Sequence, residues 1–201
     1  LAEISVKHHG YARFNPYAQS PMKITVDDVL KSPVVAYPLR ALDCCLMSVG
    51  AACTILCDED TALKLTNNTK NKPLRIWVAA GSHSLRPADR QHMDIPLLPN
   101  ESPDQYKDLG ERFPGGERYP GFTGFLAARM ADYYGYGMTG ITSPTEDLYV
   151  VELHDAFTIS DVQTYVDIGI RPYGYGRDYV ESGDCYHTNP HTGKPGKLPS
   201  N

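Results

Sequence analysis

The sequence predicts a layered α/β fold, and three observations predict it. Short apolar runs of strand length alternate along the chain with segments of helical character. Helix starts are marked: Thr25-Val-Asp-Asp28 and Thr158-Ile-Ser-Asp161 each place a hydroxyl at an N-cap and an acid three residues later. Helix stops are marked as well, by Pro33 after the first of these boxes and by Gly169 after the second.

Taken in order, Leu1 to Val6 reads as the tail of a helix, and Asn15 to Pro21 as a polar loop bounded by proline. The first capping box opens a short helix that must end before Pro33. Gly50 to Cys57 (GAACTILC) is a continuous small-and-apolar run, which predicts a strand buried on both faces. Asp58 to Leu65 carries its acids first and a lysine later, in line with a helix dipole. Leu74 to Ala80 (LRIWVAA) reads as another strand. From Gly81 to Gly121 prolines, glycines and charges replace periodicity, as in an extended connection or insertion. Phe122, Phe125, Leu126 and Met130 lie at helical spacing and predict a helix that buries that face and stops near Gly135. Leu148 to Leu153 is a strand, and the second capping box starts a helix that carries the apolar Ile159, Val162 and Val166. The Tyr/Gly clusters at Tyr133 to Gly137 and Tyr173 to Gly176 are turn chemistry rather than a repeat.

Composition narrows the function classes. Of 201 residues, 41% are hydrophobic and 21% charged, which is ordinary for a soluble globular protein. The net charge of -5 gives no reason to expect nucleic acid or an anionic membrane as partner. No apolar run approaches the roughly 20 residues a membrane span needs. Five cysteines, two of them adjacent (Cys44 and Cys45), make an odd and sparse set, and reduced thiols in a cytoplasmic protein are expected. The chain opens on Leu1 without a signal-peptide pattern and closes in the Gly/Pro/Lys-rich Gly193 to Asn201, so an internal piece of a longer polypeptide is expected.

The segment richest in chemistry is Val151 to Phe157, V-E-L-H-D-A-F. An apolar strand ends in His154-Asp155 and a capped helix begins directly after, so backbone N–H groups gather beside the imidazole. Such a place can hold a water or a thioester oxygen as it becomes negative. On spacing alone, His154 has a second reading, as a cap of the strand end bonded to nearby backbone. Two other constellations fall short. Cys185-Tyr-His187 with His191 lacks a fourth ligand and the spacing of a zinc site, so no metal is expected. Gly174-Tyr-Gly-Arg177 has neither the preceding strand nor the Lys-Ser/Thr of a phosphate loop.

V-E-L-H-D-A-F resembles the Asn-Glu-Ala-Phe block of thiolases in its His-Asp variant, as in archaeal and sterol-carrier-protein-type members. Asn15-Pro-Tyr-Ala18, and Leu42-Asp-Cys-Cys45 through Gly50-Ala-Ala52, resemble two further blocks of that branch in the same order. The resemblance implies a partial thiolase fold, α/β with mixed sheets layered with helices. Residues 1-80 would end its N-terminal half, 81-121 would form a connecting or inserted loop region, and 122-201 would begin its C-terminal half. It implies an acyltransferase, acetyl-CoA acetyltransferase-like, that makes or breaks a carbon–carbon bond in 3-oxoacyl-CoA thioesters in lipid metabolism. The contrasting reading is a non-catalytic thiolase-like subunit that binds acyl-CoA or scaffolds a partner.

Residue by residue, the resemblance places His154 at an oxyanion site. Asp155 aligns with the motif Glu and orients the loop. Cys45 aligns approximately with a residue facing the pantetheine arm of coenzyme A, and a packed core thiol is the other reading of it. The nucleophilic Cys block would lie before Leu1 and the general-base His block beyond Asn201, so the chain by itself is expected to be inactive. Val49 departs from the branch, which has Asp before Gly-Ala-Ala. The implied substrate is a coenzyme A thioester with no bound cofactor. The implied partners are copies of itself in a homo-oligomer and a small zinc-ribbon/OB-fold protein.

Overall fold

The computed structural model describes residues 1–66, 74–76, 80, 97–102, 104 and 125–200. Helix α1 (Ala2–Ala12) turns Ile4 and Lys7 inward, one turn apart on one face, and carries the chain past the core. Helix α2 (Val26–Lys31) starts at the expected capping box: the Thr25 hydroxyl accepts the Asp28 N–H at 3.2 Å and Asp28 accepts the Thr25 N–H at 2.8 Å. A hairpin follows, β1 (Val34–Ala36) antiparallel to β2 (Leu39–Arg40), and then a 3-10 turn over Ala41–Asp43. Helix α3 (Glu59–Thr66) lies where its charges place it, capped by Asp58, which accepts the Thr61 N–H at 2.9 Å. Helices α4 (Leu126–Thr139), α5 (Pro144–Asp147), α6 (Thr158–Asp167) and α7 (Gly176–Glu181) complete the described elements.

The core lies where α1, α6 and α7 meet the segment around Cys185 and Leu198. Ile4, Tyr165, Ile170, Tyr179, Cys185 and Leu198 are fully buried there, each large apolar side chain contributing about 1.5–3 kcal/mol. Tyr165 and Tyr179 meet edge to face, centroids 4.9 Å apart at 80°, and the Tyr179 hydroxyl donates to the Leu198 carbonyl. Gly176 is required by packing: a Cβ there would stand 2.8 Å from the Val162 carbonyl oxygen.

Several sequence expectations change. Gly50 to Cys57 is irregular and exposed rather than a buried strand, because no strand among the described residues pairs with either of its edges. Leu74 to Ile76 likewise forms no strand, while residues 77–79 lie outside the described residues. Leu148 to Leu153 yields one parallel bridge, Val151 to Ser200, not a ladder. Helix α4 passes through Gly135 and ends at Gly140, whose φ of 73° closes the helix, so the Tyr133 to Gly137 cluster is helical. Its buried residues include Arg129 and Tyr136, whereas Phe125 is 41% exposed and Phe122 lies outside the described residues. In α6 the second capping box does not close: Thr158 bonds to Asp43 and Asp161 to Lys7. Ile159 faces outward at 45% exposure, while Val166 is buried. Gly169, at φ 76°, does terminate α6, and Tyr173-Gly174 does turn. Nearly all of Gly81 to Gly121 lies outside the described residues.

Candidate functional site

A cleft of about 690 Å³ opens between α1, the loop after it, the 42–48 segment and the 152–158 segment. The chain closes its walls by hydrogen bonds between residues far apart in sequence. The Ser5 hydroxyl of α1 donates to the Leu42 carbonyl. Cys45 N–H donates to the Ala156 carbonyl at 2.9 Å, and Cys44 and Phe157 form an antiparallel bridge. The Thr158 hydroxyl donates to buried Asp43 at 3.0 Å. His9 meets the Ser20 carbonyl at 2.9 Å and holds the Asn15 to Ser20 loop at the rim.

Residues from each sequence block therefore reach one place. Asn15 and Ala18, Leu42 through Cys45, and Glu152 with Asp155 all line the cleft. His154 lies in neither strand nor helix, four positions before the start of α6, and is exposed, so it does not end a strand as the sequence predicts. Its neighbour Asp155 is the member of the His-Asp pair that lines the cleft. Cys45 is exposed on the cleft rather than packed in the core, and of the five cysteines it is Cys185 that is fully buried. Burial and the neighbouring Asp43 and Cys45 raise the Cys44 thiol, which favours its protonated form.

Beneath the cleft lies a polar network that sequence reasoning missed. Lys7, fully buried, donates to Asp161 Oδ2 at 3.0 Å, to the Tyr165 hydroxyl at 2.9 Å and to the Ser200 hydroxyl at 2.7 Å. Tyr165 also donates to Asp161 at 2.6 Å. His8 connects this network to the cleft, with Nδ1 2.8 Å from Asp155 Oδ2 and Nε2 3.2 Å from Asp161 Oδ2. Burial alone would lower the His8 pKa, but the bonds to Asp155 and Asp161 outweigh it and raise it. The His8 bond lowers Asp155. Burial pushes Asp161 up, and its contacts with His8 and Lys7 more than reverse that. The partners are some 150 residues apart, so no local spacing announces them. The only trace in the sequence is a run of charge, Lys7-His8, beside the inward-facing Ile4.

Among the described residues no group of His, Cys, Asp and Glu is arranged to hold a metal ion. Cys185 is in the core, and His191 bonds the Glu181 carbonyl at 2.9 Å. Among the described residues no helix is long and apolar enough to cross a membrane.

No family model matches the chain. It is 30% identical over 190 residues, 93% of its length, to the benzoylsuccinyl-CoA thiolase subunit BbsB of Thauera aromatica, of which it spans 40%. It is 31% identical to an acetyl-CoA acetyltransferase of Methanothermobacter thermautotrophicus over 91% of the chain and 39% of that protein. It is 29% identical to sterol carrier protein 2 of Gallus gallus over 92% of the chain and 28% of that protein. The chain thus spans less than half the length of these curated relatives. Its fold matches that of a chain of the solved Ltp2-ChsH2(DUF35) aldolase, with a TM-score of 0.64 at 20% identity, covering 100% of this chain and 43% of that one. Over about nine-tenths of its length, the chain is a homologue of thiolase-family proteins.

Proposed function

We propose that this chain forms part of a thiolase-type acyltransferase and contributes one wall of the cleft in which a 3-oxoacyl-CoA thioester has its carbon–carbon bond made or broken. The observation that carries this reading is the convergence of the three blocks, Asn15–Ala18, Leu42–Cys45 and Asp155, on one cleft. The cleft lining mixes neutral polar side chains such as Ser5, Gln19, Ser20 and Ser48 with apolar ones such as Leu42 and Leu46 and the carboxylates of Asp43, Glu152 and Asp155, and among the described residues it includes no lysine or arginine. This lining suits the amide-bearing pantetheine arm of the substrate better than its phosphates. Cys45 is assigned to that arm and Asp155 to holding the loop.

His154 is assigned to the oxyanion site. As negative charge grows on the thioester oxygen, a nearby N–H donor stabilises it more than it stabilises the ground state. In the assembled acyltransferase, His154→Ala should lower turnover by roughly 10²–10³-fold, with a smaller change in substrate binding. His154→Asn should retain more activity, since Asn still donates a hydrogen bond. Unfolding of both variants is measured alongside the kinetics. Losses of activity that track losses of stability would make His154 a structural residue, and unchanged turnover would remove it from the mechanism.

The nucleophilic Cys and the general-base His are assigned to residues other than those of this chain. None of the five cysteines sits in a nucleophile block, and Cys44, on the cleft, has a raised pKa. This 201-residue chain alone should therefore show no thiolysis of acetoacetyl-CoA, and measurable thiolysis by it would overturn that assignment. We read residues 1-80 and 122-201 as parts of two thiolase halves joined by 81-121, in a cytoplasmic homo-oligomer. The solved structure's name joins Ltp2 to a ChsH2(DUF35) component, which supports a partner protein here, and the small zinc-ribbon/OB-fold kind is taken from the thiolase resemblance. The alternative, a non-catalytic acyl-CoA-binding subunit, draws on the relative named as a thiolase subunit. It predicts acetoacetyl-CoA binding with turnover insensitive to His154.

A further inference from the structure

His8 faces the cleft on one side and the Lys7–Asp161–Tyr165–Ser200 network on the other. Each of its ring nitrogens meets a carboxylate, Nδ1 with Asp155 at 2.8 Å and Nε2 with Asp161 at 3.2 Å. An ionised carboxylate only accepts, so both contacts are hydrogen bonds only when both nitrogens carry hydrogen, that is, when the ring is an imidazolium. Charge balance points the same way. Lys7 and a protonated His8 offset Asp155 and Asp161, whereas a neutral ring would leave an excess anion beside a fully buried carboxylate.

We propose that His8 is a positioning residue: an imidazolium clamp that ties Asp155 to Asp161 on α6 and so fixes Asp155 on the cleft wall and, with it, the corner of chain that carries His154. The groups that face it are Lys7 on its own helix, Asp155 on the loop, and Asp161 with Tyr165 behind it on α6. The remaining titratable side chains on the cleft are His9, Tyr11, Asp43, Cys44, Cys45 and Glu152. None of these is hydrogen-bonded to His8, and Asp43 is engaged by Thr158 and by the Arg40 N–H. The clamp acts on geometry. With Asp155 pulled to α1 and Cys45 N–H bonded to the Ala156 carbonyl, the corner is held from both sides. The clamp itself is independent of the thioester reading. Its consequence for turnover, through His154, rests on that reading.

The test reads the His8 ring directly by ¹H–¹⁵N correlation of imidazole nitrogens in this chain as pH rises through the ordinary histidine value of 6.5. Both ring nitrogens should remain protonated above that value, and Asp155→Asn should shift the His8 midpoint down towards it. A singly protonated ring at 6.5, or a midpoint that ignores Asp155→Asn, would overturn the clamp. In His8→Gln the backbone amide signals of His154 and Asp155 should move while those of α7 stay, and His8→Arg, which keeps the charge, should return them towards the wild-type positions. Unmoved corner signals in His8→Gln would also overturn it. These readouts need no ligand, so a failure to bind acetoacetyl-CoA would count against the proposed function alone.

Discussion

The α1–α6 interface and the 46–57 segment are built from different residues, and the structure treats them in opposite ways. The interface contains Lys7, His8, Asp161 and Ser200, yet it is sealed: Ile4, Tyr165 and Asp161 have no exposed surface. Within the segment Gly50 to Cys57 reads as a buried strand, yet Ile55 is 81% exposed and Leu56 74%, and Met47 just before it is 99% exposed. The difference lies in who supplies the partners. A helix closes its backbone hydrogen bonds internally and needs only one covered stripe. A strand leaves N–H and C=O groups on both edges and depends on neighbours to satisfy them. Apolar composition therefore creates a demand for cover, and topology decides whether it is met.

The sealed interface is most vulnerable at Lys7. Lys7→Ala removes the cation that faces buried Asp161 and should cost about 3–5 kcal/mol, measured by urea unfolding. A loss under 1 kcal/mol would mean that the interface is not sealed. Tyr165→Phe is milder. It removes the hydroxyl shared by Asp161 and Ser200 without emptying the core and should cost about 1–3 kcal/mol. At the other pole, Met47→Ser or Ile55→Ser should change stability by less than about 0.5 kcal/mol, since both side chains are largely exposed. A larger loss would show that the segment is covered in solution.

Acidity sharpens the contrast further. The raised His8 pKa contributes stability that is complete below 6.5 and is lost as pH rises through the folded value. The lowered Asp155 and Asp161 contribute stability present above 3.8 that is lost as pH falls through their folded values. Unfolding free energy plotted against pH should therefore fall at both ends, and Asp155→Asn should flatten the alkaline limb. An unchanged alkaline limb in that variant would detach His8 from the stability profile.

What the sequence made legible follows from range. Thr25 and Asp28 are three residues apart, and their capping box is in place. Gly169 is marked by its own lack of a side chain and does end α6. Thr158 and Asp161 carry the same local signal, and it fails because Asp43 and Lys7, more than a hundred residues upstream, compete for them. The three blocks announced a site by composition and order. That they meet required α1 to bring Asn15 and Ala18 beside a wall zipped by Cys45 and Ala156. His8 was invisible for the same reason, since both its carboxylates come from the far end of the chain.

If the three blocks form one cleft for an acyl thioester, chemical-shift mapping with acetoacetyl-CoA will show it. On titration of the ligand into labelled chain, saturable shifts are expected at Ser5, His8, Asn15, Ala18, Cys45 and Asp155, with the buried core around Ile170 and Tyr179 unmoved. Saturable shifts confined to residues outside the cleft, or none at millimolar ligand, would contradict it.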